Sequence, residues 1–337
     1  MSGTLDAWTH ILPPACFARL RERGSAAGRL KRWLTLPSLH DLDTRFRLMD
    51  PLGEYRQVLT PSLPPIEDLA EGAEDGAALA RLMNDGLAEL VARHPDRFPA
   101  WVCTVSLLDP EGAVAELERA LAMGAAGLQL TTNVHGEALD APRFAPVFDR
   151  LAEAGRALWL HPARGPEFSD YAAEPLSRHE IWWCFGWPYE SSAAMARLVF
   201  SGLFDRHPRL RVLTHHMGGM IPFFEGRIAQ GWGRQMGART PDADASLLGP
   251  VLRRPVAEYF RLFHGDTALS GSVAATRCGL EYFGAAQVLF ASDFPFDAEG
   301  GPWMVRAGRG VLDTLALDAA TRAAVERGNA ARFLQPG

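Results

Sequence analysis

The sequence predicts an α/β fold, and more specifically a (β/α)8 TIM barrel formed by one domain over residues 1–337. Short apolar runs alternate with longer amphipathic segments along the whole chain of 337 residues. Three of the runs end in histidine or aspartate, with proline or glycine close behind. These endings are Leu160-His161-Pro162, Thr214-His215-His216 and Ser292-Asp293-Phe294-Pro295. Because TIM-barrel active sites lie at the carboxyl ends of the strands, the endings predict a single site.

Each strand is predicted from an apolar run that is too short for a helix and too apolar for an exposed edge. The predicted strands lie near residues 4–9, 55–59, 100–105, 127–131, 157–161, 210–215, 260–265 and 287–292. Each helix is predicted from amphipathic spacing between two such runs. The predicted helices are 76–93, 111–123, 145–154, 192–205, 271–283 and 302–312. Eight strands alternating with helices indicate the barrel.

Two inserts depart from a plain barrel. The first follows strand 1, covers residues 11–54, and is expected to cap the active site or to form a subunit contact. The second follows strand 5, covers residues 162–189, and contains Trp182, Trp183 and Trp187. These rings either pack on the barrel rim or form an aromatic wall for a planar substrate, and both roles are compatible.

The composition excludes several classes of partner. The formal net charge is -6 with no basic cluster, so binding to nucleic acid or to an anionic membrane is not expected. Apolar runs fall short of the roughly 20 residues that cross a bilayer, and the start of the sequence has no basic signal-peptide region. We therefore expect a cytoplasmic protein with a small-molecule substrate.

Cysteine and lysine usage excludes other chemistry. The four cysteines are Cys16, Cys103, Cys184 and Cys278, and no two have the spacing of a zinc ribbon or a redox pair. The only lysine, Lys31, lies in a polar segment far from any strand end. Schiff-base catalysis and metal bridging by a carboxylated lysine therefore have no suitable residue.

The strand ends offer metal ligands. Trp8 and His10 are two residues apart at the end of strand 1, so both are expected to point into the barrel. His161, His216 and Asp293 reach the same face from other strands. Imidazole and carboxylate are suitable ligands for zinc or manganese, and three protein ligands plus an open position suit a catalytic metal. The alternative for any single histidine is a hydrogen-bonded residue of the core.

Four other polar residues are candidates for substrate binding. His215 alternates with His216 and should point away from the barrel axis in a regular strand, which favours a structural role, although strand ends often bulge. His264 and Asp266 close strand 7, where they either bind substrate or cap a turn. Arg164 either binds a substrate carboxylate through two hydrogen bonds or forms a surface ion pair.

Four short motifs carry a family resemblance. They are Trp8-Thr9-His10, His161-Pro162-Ala163, His216-Met217-Gly218-Gly219 and Ser292-Asp293-Phe294-Pro295. The sequence resembles the amidohydrolase superfamily, and within it the aminocarboxymuconate-semialdehyde decarboxylase branch, which also holds resorcylate-type and other aromatic acid decarboxylases. The segment from Trp187 to Leu210 is similar to that branch throughout. The resemblance extends from strand 1 to strand 8 and implies a metal-centred barrel, usually a dimer, that acts on small carboxylated or aromatic compounds.

The resemblance also implies residue roles. His10, His161 and Asp293 would be metal ligands, and His216 would be the acid or base beside the metal. That branch commonly begins with a His-x-His or Glu-x-His pair, whereas this chain has Trp8 at the first ligand position, and indole cannot coordinate a metal. The site therefore either uses fewer protein ligands or has lost its metal. We expect a loosely held divalent ion, zinc or manganese.

Three hypotheses for the function follow. The first is a decarboxylase of a small aromatic or unsaturated acid, in which the metal binds the substrate and His216 supplies the proton. The second is a hydrolase or hydratase for a lactone, amide or unsaturated acid, with or without metal, in which Asp293 and His216 activate water. The third is a binding protein with a degenerate site marked by Trp8, because fold alone does not establish activity. A serine hydrolase is excluded, since the sequence has no Gly-x-Ser-x-Gly elbow.

Overall fold

The computed structural model describes residues 3–22, 35–232 and 252–337, and Lys31 lies outside these ranges. Eight strands follow the chain in the predicted order. They are β1 Thr4–Ile11, β2 Tyr55–Pro61, β3 Ala100–Trp101, β4 Gly127–Thr131, β5 Ala157–His161, β6 Val212–Thr214, β7 His264–Asp266 and β8 Val288–Leu289. A small antiparallel hairpin pairs Asn133–Val134 with Glu137–Ala138 after β4.

The eight strands form a closed ring of parallel neighbours. Strands β1 to β3 pair in order, and so do strands β4 to β8. Parallel bridges join the two groups, between Cys103 and Leu128 on one side and between Thr9 and Phe294 on the other. The predicted (β/α)8 TIM barrel is confirmed.

Helices cover the outside of this ring. The α-helices are Pro14–Glu22, Leu42–Met49, Ile66–Leu69, Ala73–Arg93, Pro110–Ala122, Ala145–Glu153, Ile181–Cys184, Gly186–Phe200, Leu203–Arg206, Glu225–Gln230, Val256–Phe260, Val273–Phe283, Pro302–Thr314, Ala319–Ala323 and Asn329–Phe333. Among the described residues, no helix combines the length and apolarity needed to cross a bilayer. A helix is present at each predicted position, but the one predicted at 192–205 begins earlier, inside the aromatic insert, and is divided at Gly202 into Gly186–Phe200 and Leu203–Arg206.

The seventh strand begins later than predicted. The sequence favoured a strand at 260–265, whereas the structure has a helix at Val256–Phe260 and starts the strand at His264. A short buried apolar run such as the one around Phe263 fits a helix as well as a strand, so periodicity alone could not place the boundary. The shift leaves Asp266 at the carboxyl end of β7 and moves His264 to its amino end.

The barrel interior is packed with side chains. Its core contains Leu5, Ala7, Trp8, Val58, Val102, Trp159, Leu213 and Leu289. The Trp159 indole donates a hydrogen bond to the carbonyl of Ala7 at 3.1 Å. Gly127 makes room for that ring, because a Cβ at this position would lie 2.5 Å from it. The packing fills the barrel below the carboxyl ends of the strands, so the reactive side chains lie at the mouth of the barrel.

The described part of the first insert supports the end of β1. Arg45, which is fully buried, donates from Nη1 to the carbonyl of His10 at 2.9 Å and from Nε to Oε1 of Gln57 at 2.8 Å. The Ser38 hydroxyl donates to the carbonyl of Gly300 at 2.8 Å. The insert therefore stabilises the end of β1, the strand that carries the candidate ligand His10.

Candidate active site

Four histidines and one aspartate meet at the carboxyl ends of the strands. Donor atoms of His10, His161 and His215 lie within 4.8 Å of one another, and so do those of His215, His216 and Asp293. The first three side chains are buried, whereas those of His216 and Asp293 are 20% and 16% exposed. The structure therefore brings together the residues that the sequence proposed as ligands and as the acid or base.

Hydrogen bonds to carbonyls fix the ring nitrogens of two histidines. Nδ1 of His10 lies 2.8 Å from the carbonyl oxygen of Pro61, and Nδ1 of His161 lies 2.7 Å from that of Pro162. A carbonyl oxygen only accepts, so each Nδ1 carries a proton, and the neutral form of each ring has its lone pair on Nε2. Nε2 of His10 lies 3.3 Å from Oδ1 of Asp293. Both histidines are therefore in the tautomer that a metal requires.

His215 lies inside the cluster, so the expectation that it points away from the barrel axis was wrong. Leu213 belongs to the barrel interior, and His215, two residues further on, shares its face. His216 would then face outwards, but positive φ angles of 54° at His216 and 56° at Met217 end the strand and turn the His216 ring back to the mouth. The sequence could not indicate this local backbone conformation.

His215 bridges two carboxylates. Its Nδ1 lies 2.5 Å from Oδ2 of Asp266, and its Nε2 lies 3.3 Å from Oδ1 of Asp293. Burial alone would lower the pKa of His215, but Asp266 and Asp293 raise it to about 9. Asp266 thus belongs to the site through His215.

Asp293 remains ionised despite its surroundings. Burial would raise its pKa, yet the close approach of His10, His215 and His216 holds that pKa well below the ordinary value. Burial, together with the neighbouring histidines, holds the pKa of His161 well below its ordinary value. The site therefore offers a carboxylate on Asp293 and a neutral imidazole on His161, and both are donors that a divalent metal accepts.

Asp6, which sequence reasoning missed, fixes the segment that carries Asp293. Its Oδ1 accepts from the backbone N–H of Ser292 at 3.1 Å, and its Oδ2 accepts from the hydroxyls of Ser292 and Tyr55 at 2.5 Å each. Burial raises the pKa of Asp6 to about 6, against these hydrogen bonds, which lower it. A carboxylate within the apolar run of β1 was the signal that could have revealed this residue.

Trp8 occupies the side of the cluster where the resemblance placed the first ligand. It is fully buried, and its ring centroid lies 4.3 Å from that of His215 and 5.8 Å from that of His161. A backbone irregularity in β1 between Asp6 and Thr9 accompanies its inward direction. The indole supplies no ligand, so the nitrogens and the carboxylate around it form the candidate metal site.

The aromatic insert reaches the mouth through Trp187. Its ring lies 6.1 Å from that of His216, with 24° between the planes, and 5.6 Å from that of His161. Trp182 and Trp183 pack against Trp187 from outside, with ring centroids 6.0 Å and 6.4 Å away. One ring of the insert thus lies at the site and two support it.

Arg164 is paired within the chain. Its Nη1 lies 3.6 Å from Oε2 of Glu190, whose Oε1 accepts from the side-chain amide of Asn133 at 3.0 Å. The Trp187 indole donates to the carbonyl of Arg164 at 3.1 Å. Glu190 and Asn133 were not singled out from the sequence, because neither lies at a predicted strand end.

His264 is not part of the cluster, contrary to the expectation that it faces the mouth. Its ring packs on Phe333 at a centroid distance of 4.8 Å, at the amino end of β7. Burial, with a smaller contribution from Arg211, lowers its pKa to about 4. The late start of β7 explains this position.

Fold and site together define the class of protein. It is a TIM-barrel enzyme with a histidine and carboxylate centre at the carboxyl ends of its strands. A model of the amidohydrolase family matches residues 5–335, and the chain belongs to that family.

Several similar proteins are decarboxylases. The 2-amino-3-carboxymuconate-6-semialdehyde decarboxylase of Dictyostelium discoideum is 30% identical over 66% of this chain and 58% of its own length, so this chain matches little more than half of that relative. The crystal structure of 5-carboxyvanillate decarboxylase from Sphingomonas paucimobilis is 28% identical with a TM-score of 0.82, and the match covers 100% of both chains. A dihydroxybenzoic acid decarboxylase from Polaromonas sp. JS666, with bound manganese and the inhibitor 2-nitroresorcinol, is 25% identical with a TM-score of 0.78, over 99% of this chain and 97% of that one.

Proposed function

We propose that this chain is a metal-dependent decarboxylase that removes carbon dioxide from a small aromatic carboxylic acid. The observation that carries the proposal is the convergence of His10, His161 and Asp293 at the barrel mouth, in a chain whose similar proteins are decarboxylases. The hydrolase, hydratase and degenerate-site hypotheses are not favoured, because the relatives are decarboxylases and the ligand set is retained apart from Trp8.

The metal site is proposed to include Nε2 of His10, the His161 ring and Asp293. Manganese is the first candidate because the Polaromonas enzyme contains it, and zinc is the alternative because it accepts the same nitrogen and oxygen donors. When bound, a divalent cation at this position supplies the positive charge that binds the carboxylate or the neighbouring hydroxyl of the substrate. Asp293, held ionised by three histidines, balances that charge.

His216 and Asp293 are proposed to be the catalytic residues for the transfer of the proton that replaces the carboxylate. Nε2 of His216 lies 3.7 Å from Oδ2 of Asp293, and the partly exposed ring of His216 can take a proton from solvent. Burial and the neighbouring His215 lower the pKa of His216, so a captured proton is readily released. One proton goes to the ring carbon of the substrate, the carbon–carbon bond to the carboxylate breaks, and its electron pair stays with the ring as carbon dioxide leaves.

Trp187 is proposed to form one wall for the aromatic ring of the substrate. It is the ring of the insert that lies beside both His161 and His216, and an offset stack of two aromatic rings contributes about 0.5–1.5 kcal/mol beyond burial. The ion pair of Arg164 with Glu190 borders this wall. We propose that the pair helps to select the substituents of the substrate.

The test is release of carbon dioxide from a panel of hydroxylated benzoic acids and muconate-type acids in the presence of Mn2+, beside a panel of lactones and amides. In D2O, the proposed route places one deuterium on the carbon that carried the carboxylate, and NMR of the product detects it. Turnover of lactones or amides without release of carbon dioxide from the acids would support the hydrolase hypothesis in place of the decarboxylase. Absence of turnover with both panels would favour the hypothesis of a binding protein.

Location, assembly and domain extent are further parts of the proposal. We propose a cytoplasmic location, since the four cysteines, all within the described residues, form no disulfide there.

A homodimer is proposed because Phe185, Tyr189 and Phe223 expose 73%, 57% and 79% of their surface, and aromatic side chains are enriched in interfaces. Light scattering in solution tests the dimer. We also propose that residues 1–337 form one domain, since all described segments contribute to one barrel.

A further inference from the structure

We infer that His215 is a metal ligand, which replaces the ligand lost at Trp8, and that Asp266 holds it in the required tautomer. The inference rests on the metal centre of the proposed function and adds a residue from β6 to its ligands. It gives His215 a role that differs from substrate binding and from acid or base catalysis.

The position of Nε2 of His215 suits a metal ligand. Nε2 of His215 and Nε2 of His10 each lie 3.3 Å from the same oxygen, Oδ1 of Asp293. Two ligand atoms on one tetrahedral zinc, each at about 2.0–2.1 Å from the metal, are about 3.3–3.4 Å apart. The His161 donor lies within 4.8 Å of both nitrogens. The donor atoms of His10, His215 and Asp293 are thus spaced closely enough to share one ion, and that of His161 lies beside the two nitrogens.

The surroundings of the His10 and His215 nitrogens also favour a shared ion. Nε2 of His10 and Nε2 of His215 are buried, and neither has a hydrogen-bond partner among the described residues. A buried polar atom without a partner has lost its hydrogen bonds to water and gained none in return, which is unfavourable. On His10, the lone pair faces a carboxylate oxygen, which is repulsive unless a cation lies between them. A shared metal ion satisfies both nitrogens and the carboxylate together.

Asp266 supports His215 from behind. Nδ1 of His215 donates to Oδ2 of Asp266 at 2.5 Å, so Nε2 is the nitrogen left to coordinate, and a metal displaces the proton that Nε2 carries in the metal-free protein. Oδ1 of Asp266 accepts from the backbone N–H of Ala268 at 3.2 Å, so the carboxylate is itself held. Histidines that bind metals commonly donate their second ring N–H to a carboxylate. His10 and His161 make the same type of contact with carbonyl oxygens.

The packing of Trp8 holds His215 in place. Its indole fills the place of the expected first-strand ligand and stacks on the ring of His215 at 4.3 Å. Both residues are fully buried, so the indole fixes the direction of the imidazole. The side chain that removes one ligand therefore holds another in position.

The first experiment counts histidines on the wild-type protein loaded with Cu2+ as a probe. Electron spin echo modulation from the remote imidazole nitrogens is expected to show three coordinated histidines, namely His10, His161 and His215. Two coordinated histidines would overturn the inference. This readout uses neither turnover nor a variant, so it stands even if every His215 variant fails to fold.

The second experiment measures Mn2+ affinity by competition with a chelator. His215→Gln and Asp266→Asn are expected to weaken binding, the latter by about 10- to 100-fold, as is usual for loss of an outer carboxylate partner. His207→Gln is the matched control, because His207 pairs with Asp149 away from the site. Unchanged affinity in a folded His215→Gln protein would overturn the inference. Three coordinated histidines in a protein that decarboxylates nothing would instead refute the proposed function alone.

Discussion

The indole ring of Trp8 lies stacked on the imidazole ring of His215, with the ring centroids 4.3 Å apart and 24° between the planes. Both side chains are fully buried, so neither ring has room to turn. The resemblance placed a ligand at position 8, and the structure has an aromatic surface there instead. Trp8 therefore contributes to the site through packing, and its removal should affect both stability and metal binding.

Trp8→Ala is expected to lower the free energy of unfolding by about 3–5 kcal/mol, the usual cost of truncating a buried tryptophan. Mn2+ affinity should fall as well, because the His215 ring loses the surface that orients it. Urea unfolding with and without Mn2+ measures both effects. Trp303→Ala is the matched control, since Trp303 is 43% exposed. Equal stability of the two variants would contradict the packing argument.

Asp6→Asn should change how stability depends on pH. Burial raises the pKa of Asp6 from 3.8 to about 6 in the folded protein, whereas the unfolded chain keeps a value of about 3.9. Between these values the folded protein holds a proton that the unfolded chain has lost. The carboxyl group therefore stabilises the fold fully below pH 4, and this contribution disappears as the pH rises through 6.

We expect the unfolding free energy of the wild type, minus that of Asp6→Asn, to fall as the pH rises from about 4 to about 6. Urea unfolding of both proteins across this range measures the difference, and subtraction removes the titration of the other carboxyl groups. A difference that stays constant would mean that Asp6 titrates normally in the folded state.

The turn after His216 requires glycine at two positions, and the cost of adding a Cβ differs between them. Gly218 has φ +73°, and an added Cβ would lie 3.2 Å from the Phe283 ring. Gly219 has φ +62°, and its Cβ would lie 2.3 Å from the carbonyl oxygen of Pro188. Positive φ alone costs a residue with a Cβ about 1–2 kcal/mol. Gly219→Ala is therefore expected to destabilise the protein more than Gly218→Ala.

Thermal unfolding of the two variants tests this order, with Gly226→Ala as the control. Gly226 lies in the helix Glu225–Gln230, and its added Cβ would meet nothing within 4 Å. Replacing an unhindered helical glycine by alanine stabilises a helix by about 0.5–1 kcal/mol. If Gly219→Ala were as stable as this control, the close approach to Pro188 would not exist in solution.

His216→Ala is expected to lower kcat by about 10²- to 10⁴-fold, the usual contribution of a general acid or base. Nε2 of His216 lies 3.7 Å from Oδ2 of Asp293, and the ring lies beside Trp187 at the open side of the site. The variant should therefore keep its fold and its metal content. Steady-state kinetics and metal analysis of the same preparation measure both. His207→Ala is the control, and retention of most activity in His216→Ala would remove His216 from the mechanism.

The barrel and the strand ends could be predicted because buried parallel strands are continuous apolar runs, and eight such runs remain visible without tertiary information. The direction of side chains at the strand ends could not. Both His215 and His216 reach the mouth because two positive φ angles follow β6, and His264 lies away from the mouth because β7 starts later than its apolar run. Asp6 and Asp266 act through hydrogen bonds to other strands, which a single sequence does not reveal.

Removal of the metal is expected to abolish decarboxylation, and readdition of Mn2+ should restore it. The site lacks a ligand from position 8, so a chelator should strip the ion more easily than from relatives with a complete first strand. Thermal unfolding gives a second readout, since an ion that binds only the folded state stabilises it by about 2.7 kcal/mol at one hundred times its Kd.

Metal analysis of protein purified without chelator, with activity measured before removal, after removal and after readdition, decides this prediction. Mg2+ at the same concentration is a suitable control for ionic strength, because it prefers oxygen ligands and should bind poorly to a site rich in imidazole. Full activity in metal-free protein would make His10, His161 and Asp293 acid, base or substrate-binding residues. The hydrolase hypothesis, which does not need a metal, would then stand ahead of the decarboxylase.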